Sequence, residues 1–277
     1  MKPNLSTLID DIKHEKGYSA EGDFTDNQLV RKINSVQYEL AQILFQTNPW
    51  WLTYYADISA AASAVLPPSF RKIQYVAWRQ SSSDPWVKVD PTTIHDIEGK
   101  NDTTQVASTG TFRVFYSRVP AVLSYGTADS ATSTTVVLAA TPSYGETSLE
   151  NDYYNGATLE IVSATAGSNQ TAVITDYTGS TRTATVTFTT TPTGTIVYNV
   201  VSDMPEEFMS EGLIQGTIAK VSRDPMAMNW YNDIQARIER FSNVNSQEYF
   251  AVEPYEYLRG RSCSYYVRGN TIYFYGE

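Results

Sequence analysis

Residues 125–200 differ abruptly in composition from the chain on either side, and this contrast most limits what the chain can fold into. Thr, Ser, Ala, Gly and Val dominate the stretch, which is nearly free of lysine. Short β-branched runs alternate with turn signals such as Asn155-Gly156 and Gly167-Ser168-Asn169, which is typical of a small sandwich or barrel. We therefore predict an inserted all-β domain at 125–200, within a core formed by residues 1–124 and 201–277.

The sequence before this stretch begins with two predicted helices. The first carries apolar residues at helical spacing from Leu5 to Ile12. The second starts behind Thr25, whose side chain would form a capping box with Gln28, and it ends before Pro49. The apolar stripe of the second helix consists of Leu29, Ile33, Val36, Leu40, Ile43 and Leu44.

Helices return directly after the β stretch. Asp203-Met204-Pro205-Glu206 and Asp224-Pro225 each combine an N-cap residue with a proline in the first turn, so each opens a helix. Because the two helices are separated only by residues 222–224, they predict an αα-hairpin. Their apolar stripes consist of Phe208, Leu213, Ile214, Ile218 and Val221, and of Ala227, Trp230, Ile234, Ile238 and Phe241.

The remaining sequence predicts β-structure. Strands are expected at 51–55, 73–78 and 112–116, with a break at Pro67-Pro68 and a short helical turn at 92–98. A C-terminal hairpin is expected around the two-residue turn Gly269-Asn270. The predicted fold class is α+β: a helical core with strands, an inserted all-β domain and an extended C-terminal arm that ends in the hairpin.

Charge and cysteine content limit the classes of function. The formal net charge of −10 argues against a wide phosphate-binding face. An acidic surface also suits a passage through which DNA slides without sticking. The single cysteine, Cys263, cannot form an internal disulfide, so we expect folding in a reducing cytoplasm. No apolar run reaches membrane-spanning length and the N-terminus lacks a signal-peptide core, so we expect no membrane segment and no export by the usual route.

A search for catalytic chemistry gives no candidate. His14 lies among charged residues at a helix end, and His95 adjoins Asp96, a neighbour that points to a different side of the chain. One cysteine and two histidines cannot build an ordinary zinc site, and no phosphate loop or nucleophile elbow occurs. We predict no enzyme activity, no cofactor and no metal, although a pair of carboxylates brought together in space stays open.

The C-terminal segment is the candidate partner-binding region. Three arginines stand there among aromatic residues, in contrast to the negative charge elsewhere. Such a segment could dock on an acidic groove and add a strand to a foreign sheet. The candidate residues are Arg259, Arg261, Tyr265, Tyr266, Arg268, Ile272, Tyr273, Phe274 and Tyr275.

The order of these elements resembles the head-to-tail adaptor, or connector, proteins of tailed bacteriophages. The resemblance is carried by the helix ending near Leu44, the aromatic Trp50-Trp51-Leu52, the strand Phe70-Arg71-Lys72-Ile73, and the helix entry Asp203-Met204-Pro205-Glu206-Glu207-Phe208. It covers roughly residues 20–120 and 200–275. The closing strand pair at 265–275 departs from the family pattern, because in the relatives it precedes the helix pair.

The resemblance implies a structural virion protein of the neck, made in the host cytoplasm. Such subunits form a ring, usually a dodecamer, below the portal protein. They extend the DNA channel without binding DNA specifically, and they dock the tail proteins. The β-domain at 125–200 would then lie outside the ring.

Two other functions stay open from the sequence. The chain could be a tail-fibre or receptor-binding module whose β-domain binds carbohydrate on Tyr144, Tyr153, Tyr154, Tyr177, Phe188 and Tyr198. It could also be a virion-associated peptidoglycan hydrolase that works with carboxylates alone.

Overall fold

The computed structural model describes residues 4–16, 24–47, 52–59, 63–91, 110–204, 206–222, 225–245, 263–268 and 271–276. The helices in these ranges are α1 (Leu5–Lys16), α2 (Asp26–Thr47), α3 (Glu206–Ser222) and α4 (Pro225–Asn245). The first strands are β1 (Thr53–Ser59), β2 (Ser63–Val65), β3 (Phe70–Arg79), β4 (Val87–Pro91) and β5 (Thr111–Arg118). The next are β6 (Ser124–Thr127), β7 (Ser130–Ala131), β8 (Thr135–Val137), β9 (Tyr144–Gly145), β10 (Thr158–Ser163), β11 (Gln170–Val173), β12 (Asp176–Thr178), β13 (Thr183–Thr185) and β14 (Val197–Val201). The last are β15 (Cys263–Arg268) and β16 (Thr271–Gly276).

The strands form three sheets, so the predicted α+β class is confirmed. The orders are β1-β5-β3-β4-β15-β16-β2, β11-β10-β14-β6-β9 and β12-β13-β8-β7. Neighbouring strands run antiparallel, apart from the parallel pair β4 and β15. The chain divides into a helix–sandwich unit, Met1–Leu52 with Val119–Asn245, and a seven-stranded unit, Thr53–Arg118 with Ser246–Glu277.

This division differs from the predicted domain boundaries. The β-rich stretch at 125–200 belongs to the same unit as the four helices, whereas 53–118 belongs with the C-terminal hairpin. The β-rich stretch does have its own core, but Tyr125 and Tyr144 turn away from it and contact the helical core. A sheet that is apolar on both faces needs cover on both faces, and the helices provide the second cover.

The start of α2 is set by its own sequence. The backbone N–H of Thr25 donates to Gln28 Oε1 over 2.9 Å, and the N–H of Gln28 donates to Thr25 Oγ1 over 3.3 Å. The predicted capping box is therefore confirmed. The predicted α2 stripe is buried as well, except for Ile43, which is half-buried against the same core.

Helix α3 lies in the centre of the helical layer. It packs against α1, α2 and α4, and most of its residues from Phe208 to Ala219 are buried. A helix that is covered on nearly every side has no single apolar stripe. Gly212 and Gly216 allow α3 to pack closely against its neighbouring helices. A Cβ at Gly216 would lie only 2.5 Å from Val36 Cγ1 of α2 and 2.7 Å from Tyr231 Cε2 of α4.

The prediction for one core residue of α4 was wrong. Trp230 was predicted in the apolar stripe, but its side chain is 54% exposed, while the neighbouring Tyr231 is only 5% exposed. Ala227, Tyr231, Ile234 and Ile238 follow each other at spacings of three and four and share the buried side. Trp230 lies about 100° away from Tyr231 around the helix axis and so faces solvent. The side chain of Phe241 lies outside the described part.

The β-rich stretch is a sandwich built on strict alternation. Leu159 and Ile161 of β10 and Tyr198 and Val200 of β14 point into the sandwich core. Glu160, between the two β10 residues, is 7% exposed and accepts a hydrogen bond from Asn199 Nδ2 over 3.1 Å. The Oδ1 atom of Asn199 in turn accepts the N–H of Leu5 at the start of α1. The alternate residues of the same strands therefore face the helices.

A second set of buried polar contacts joins α2 to the segments that flank the sandwich. Gln37 is 2% exposed; its Nε2 donates to the carbonyl of Ala121 over 2.9 Å, and its Oε1 accepts from Ser202 Oγ. Asn34 Oδ1 accepts the N–H of Leu123 over 2.9 Å. Buried polar groups are stable only when they are paired, and here the pairing fixes where the chain enters and leaves the sandwich.

The seven-stranded unit has a separate core. One face of its sheet carries Val76, Val89, Phe112, Val114, Tyr116 and Ile272, all buried. The predicted strands at 73–78 and 112–116 are confirmed as parts of β3 and β5, while β1 begins at Thr53 rather than at residue 51. Pro67-Pro68 separates β2 from β3 as predicted.

The C-terminal hairpin is confirmed by its register. Arg268 pairs with Thr271 and Tyr265 with Phe274, which leaves two residues for the turn. The turn itself, the predicted helical turn at 92–98, and Pro49 all lie outside the described residues.

Replacing Gly216 by alanine should destabilise the helix–sandwich unit. Its Cβ would overlap Val36 and Tyr231, and overpacking of this kind costs about 1–3 kcal/mol. The gain in helix propensity offsets at most about 1 kcal/mol. The matched control is Gly212→Ala, whose Cβ meets the flexible end of Leu40 at 3.0 Å and Ile234 Cγ2 at an ordinary contact distance of 3.6 Å. In urea unfolding, the free energy of unfolding of Gly216→Ala should be lower than that of the wild type and that of Gly212→Ala. Equal free energies of unfolding for the two variants would contradict this packing.

Candidate interaction surface

The solvent side of the seven-stranded sheet carries aromatic rings and guanidinium groups in cross-strand register. The register aligns Tyr55 with Phe115 and Phe115 with Tyr75. The rings of Tyr75 and Phe115 stack with centroids 4.1 Å apart at an interplanar angle of 15°, and Tyr55 lies 5.8 Å from Phe115. Tyr55 is 58% exposed. Three strands thus present one continuous row of rings.

Arginines continue this row across the sheet. The guanidinium of Arg113 lies 4.2 Å from the ring centre of Tyr55 and 4.6 Å from that of Trp86. Arg79 approaches the same Trp86 ring at 4.4 Å. Cation–π contacts of this kind hold a guanidinium over a ring without removing its charge. We name the surface formed by Tyr55, Tyr75, Arg79, Trp86, Arg113 and Phe115 the arginine–aromatic face.

Arg113 is fixed by a carboxylate as well as by the rings. Its Nε and Nη2 atoms donate to the two oxygens of Asp57 over 2.6 and 2.7 Å. The hydrogen bond that Arg113 donates to Asp57 is the main cause that raises the pKa of Arg113, partly opposed by burial. A bidentate guanidinium–carboxylate pair holds both side chains in one orientation. The face is therefore pre-organised before any partner arrives.

The sandwich region is acidic, whereas the seven-stranded unit is electrically neutral over its full residue ranges. Residues 119–204 contain one arginine and seven Asp and Glu, a net charge of −6. Residues 53–118 and 246–277 contain ten Lys and Arg and ten Asp and Glu. On the sheet, Arg79 lies on β3, Lys88 on β4 and Arg113 on β5, where Arg113 is paired with Asp57 of β1.

The most acidic surface of the sandwich region is the loop before β10. We name Glu146, Leu149, Glu150 and Asp152, together with the adjacent Asp176, the acidic loop. Leu149 is 70% exposed, and Glu150 and Asp176 are exposed as well. Burial raises the pKa of Asp152, and the nearby Asp176 raises it further against the lowering effect of a hydrogen bond from Asn155. Asp152 also adopts a φ of 62°, which an L-residue favours only in special turns.

Two tyrosines hold the acidic loop on the sandwich. Tyr177 donates its hydroxyl to the carbonyl of Ser148 over 2.6 Å, and Tyr154 donates to the carbonyl of Glu146 over 3.3 Å. The two rings meet edge to face, with centroids 4.8 Å apart. Burial raises the pKa of Tyr177 to about 12. The loop is thus fixed at both ends rather than free.

These contacts bear on the carbohydrate-binding alternative. Tyr154, Tyr177 and Tyr198 are at most 1% exposed, and Phe188 is 5% exposed. Rings that fill a core are not available as stacking platforms for a sugar. Tyr144 and Tyr153 are half-buried.

The predicted partner-binding residues occupy the other half of the seven-stranded sheet. Tyr265, Tyr266 and Arg268 belong to β15, and Ile272, Tyr273, Phe274 and Tyr275 belong to β16. Both strands have neighbours on each side, β4 and β2, so the hairpin lies inside the sheet rather than at its edge. Ile272 is 0% exposed, so it is a core residue instead of a contact residue. Arg259 and Arg261 lie outside the described residues.

The sequence carried a weak signal for the arginine–aromatic face. Arg113-x-Phe115 and Tyr75-x-Ala77-x-Arg79 show the period of a strand, yet nothing in the sequence states which strands become neighbours.

His14 is exposed at the end of α1, and Cys263 begins β15. His95 lies outside the described part.

Two structural findings limit the chemistry of the described part. Across those ranges, no three His, Cys, Asp or Glu side chains are grouped so that they could hold a metal ion. None of the helices there combines the length and the apolar character needed to cross a membrane. No protein-family model matches the chain, and no curated protein matches its sequence.

Removing either partner of the Arg113–Asp57 pair should weaken the sheet. The pair is partly exposed, so we expect a coupling free energy of about 0.5–1 kcal/mol, and loss of the ring contacts adds about 0.5–1 kcal/mol for Arg113→Ala. A double-mutant cycle with Asp57→Ala in urea unfolding measures the coupling. The control Arg113→Lys keeps the charge but lacks the two-pronged geometry, so it should recover less than half of the loss. A coupling of zero would contradict a pre-organised face.

Asp152→Asn should raise stability near neutral pH. A carboxyl whose pKa is raised by folding binds its proton more tightly in the folded state, so its ionised form lowers stability above that pKa. Asparagine also tolerates a positive φ and retains an acceptor for Asn155. The melting temperature of the variant should exceed that of the wild type at pH 7, and the difference should shrink as pH falls through the raised pKa. Asp11→Asn, on the exposed side of α1, is the control, and a pH-independent difference for Asp152→Asn would contradict the expectation.

Proposed function

We propose that the chain is a structural assembly subunit of a tailed-bacteriophage virion, a head-to-tail adaptor that forms a ring below the portal protein. The observation that carries this proposal is the α4 row, the two large apolar side chains Met226 and Trp230 exposed on one side of the start of α4. Met226 is 66% exposed and Trp230 54%. Met228, which is 42% exposed, points to another side of the helix. Contiguous exposed apolar side chains mark surfaces that a partner covers.

The α4 row is well suited to protein contact. Met226 and Trp230 stand four residues apart and so share one side of the helix. Methionine adapts to irregular partner surfaces, and tryptophan is among the residues that contribute most to binding. The adjacent side of α4 is anchored by Ala227, Tyr231 and Ile234, which are buried in the helical core. The row is therefore displayed on a rigid support.

The helices under the row are tied together by polar contacts. Glu39 of α2 forms an ion pair with Lys220 of α3 and accepts the hydroxyl of Tyr231 of α4 over 3.1 Å. Burial is the main cause that raises the pKa of Tyr231, followed by the charge of Glu39. One carboxylate thus connects three helices, so the αα-hairpin is a fixed docking element.

The charge of the chain fits a subunit that lines a DNA passage. With a net charge of −10, the protein repels a polyanion that slides past it. Specific or strong DNA binding would require many Lys and Arg contacts on one face. In the proposed ring, DNA passes through without specific binding, and the tail proteins dock on the far side.

The test is to mix the full chain with the portal protein of the same virus and image the mixture by negative-stain electron microscopy. We expect a ring with many copies seated on one portal. A single copy per portal, or no binding at all, would contradict the proposal.

A variant series tests the part played by α4. Met226→Ser with Trp230→Ser removes the exposed apolar atoms without touching the buried side, and should weaken portal binding or ring formation by more than about tenfold, as expected for loss of an aromatic anchor. The matched control is Asn229→Ser with Asn232→Ser, at exposed polar positions of the same helix. Equal binding by both variants would remove α4 from the docking surface. Circular dichroism establishes that each variant is folded.

A further inference from the structure

We infer that the arginine–aromatic face of one copy binds the acidic loop of a second copy of the same chain. This inference deepens the proposed function, because it names the two surfaces through which neighbouring subunits of a ring would meet. The two surfaces differ, so the contact is heterologous: each copy offers one of each. Contacts of this kind form rings when the rotation between copies closes, and open filaments when it does not.

Charge complementarity identifies the occupant. Arg79 and Lys88 add positive charge on the strands of the arginine–aromatic face, outside the pair of Arg113 with Asp57. Residues 119–204 have a net charge of −6. A second copy therefore always supplies an acidic surface of the required sign. Complementary charges raise the rate of encounter and select the correct orientation.

The apolar parts of the two surfaces also match. Tyr55 is 58% exposed on the arginine–aromatic face, and Leu149 is 70% exposed on the acidic loop. Each is a single exposed apolar side chain beside charged residues: Arg79, Lys88 and Arg113 for the first, and Glu150, Asp152 and Asp176 for the second. Interfaces commonly bury an aromatic or aliphatic centre within a polar rim.

Both surfaces are rigid before they meet. Arg113 is held by Asp57 and by the rings of Tyr55 and Trp86. The acidic loop is held by Tyr154 and Tyr177, and by a hydrogen bond from the N–H of Gly179 to Asn151 Oδ1 over 2.9 Å. Little conformational freedom is lost when such surfaces associate, which favours binding.

Charge reversal on each surface separately tests the inference. The face variant is Arg79→Glu with Lys88→Glu, which leaves the structural Arg113–Asp57 pair intact. The loop variant is Glu150→Lys with Asp176→Lys. Sedimentation equilibrium of the wild type should show self-association that weakens as salt rises, because salt screens exposed charges. Each variant alone should associate more than about tenfold more weakly, since its two surfaces then carry the same sign.

The decisive measurement is the equimolar mixture of the two variants. Every contact in an alternating arrangement of the two is again between opposite charges, so the mixture should associate as the wild type does. A single chain with all four reversals should also associate. Lys32→Glu on α2 and Asp11→Lys on α1 are matched controls at exposed positions away from both surfaces, and should change nothing. Circular dichroism establishes the folding of every variant.

Three outcomes would overturn the inference: a wild type that stays monomeric in low salt at about 100 μM, variants that associate as the wild type does, or a mixture that remains as weak as its components. These outcomes are separable from the fate of the proposed function. A chain that stays monomeric alone but mounts on the portal in many copies loses this interface and keeps the adaptor role. A chain that passes the mixing test but ignores the portal keeps the interface and loses the adaptor role.

Discussion

The helix–sandwich unit depends on a sheet whose two faces pack against two different hydrophobic cores, the sandwich core and the helical core. In β10, Leu159 and Ile161 fill the sandwich while Glu160, between them, turns toward the helices. Side chains of a strand alternate strictly, so a shift by one residue would move every apolar group out of the sandwich and bury Glu160 in it. The hydrogen bonds from Asn199 to Glu160 and from Leu5 to Asn199 extend this register to α1. The position of the first helix is thus coupled to the pairing of strands far along the chain.

The seven-stranded unit differs, because it exposes aromatic rings on one face of its sheet and still has to remain stable. Its core face holds Val76, Val114 and Tyr116, while the opposite face holds Tyr75 and Phe115. Guanidinium groups cover part of these rings and stay charged, and Asp57 fixes one of them. The result is a surface that is soluble in the free chain and yet contains most of what a binding surface needs: rings, donors and a fixed geometry.

Charge is unevenly distributed along the chain. Residues 119–204 contain one arginine and seven Asp and Glu, whereas the residue ranges of the seven-stranded unit contain equal numbers of basic and acidic residues. The acidic residues of the β-rich stretch therefore account for most of the overall charge of −10.

Local sequence determined the ends and the faces of single elements. Thr25 and Gln28 fixed the start of α2, and the charge asymmetry of the chain can be read directly from its composition, because these features depend on residues a few positions apart or on no geometry at all. Trp230 shows where this reasoning stops: Trp230 and Tyr231 both fit an apolar stripe, and only packing against α2 and α3 decided that the tyrosine is the buried one. Tertiary structure alone assembled the arginine–aromatic face. Ile73 and Tyr75 are two residues apart and would share a face of a regular strand, but an irregularity between them turns Ile73 toward the core and Tyr75 toward Phe115. A bulge of this kind arises from pairing with a strand some forty residues away, and no local pattern records it.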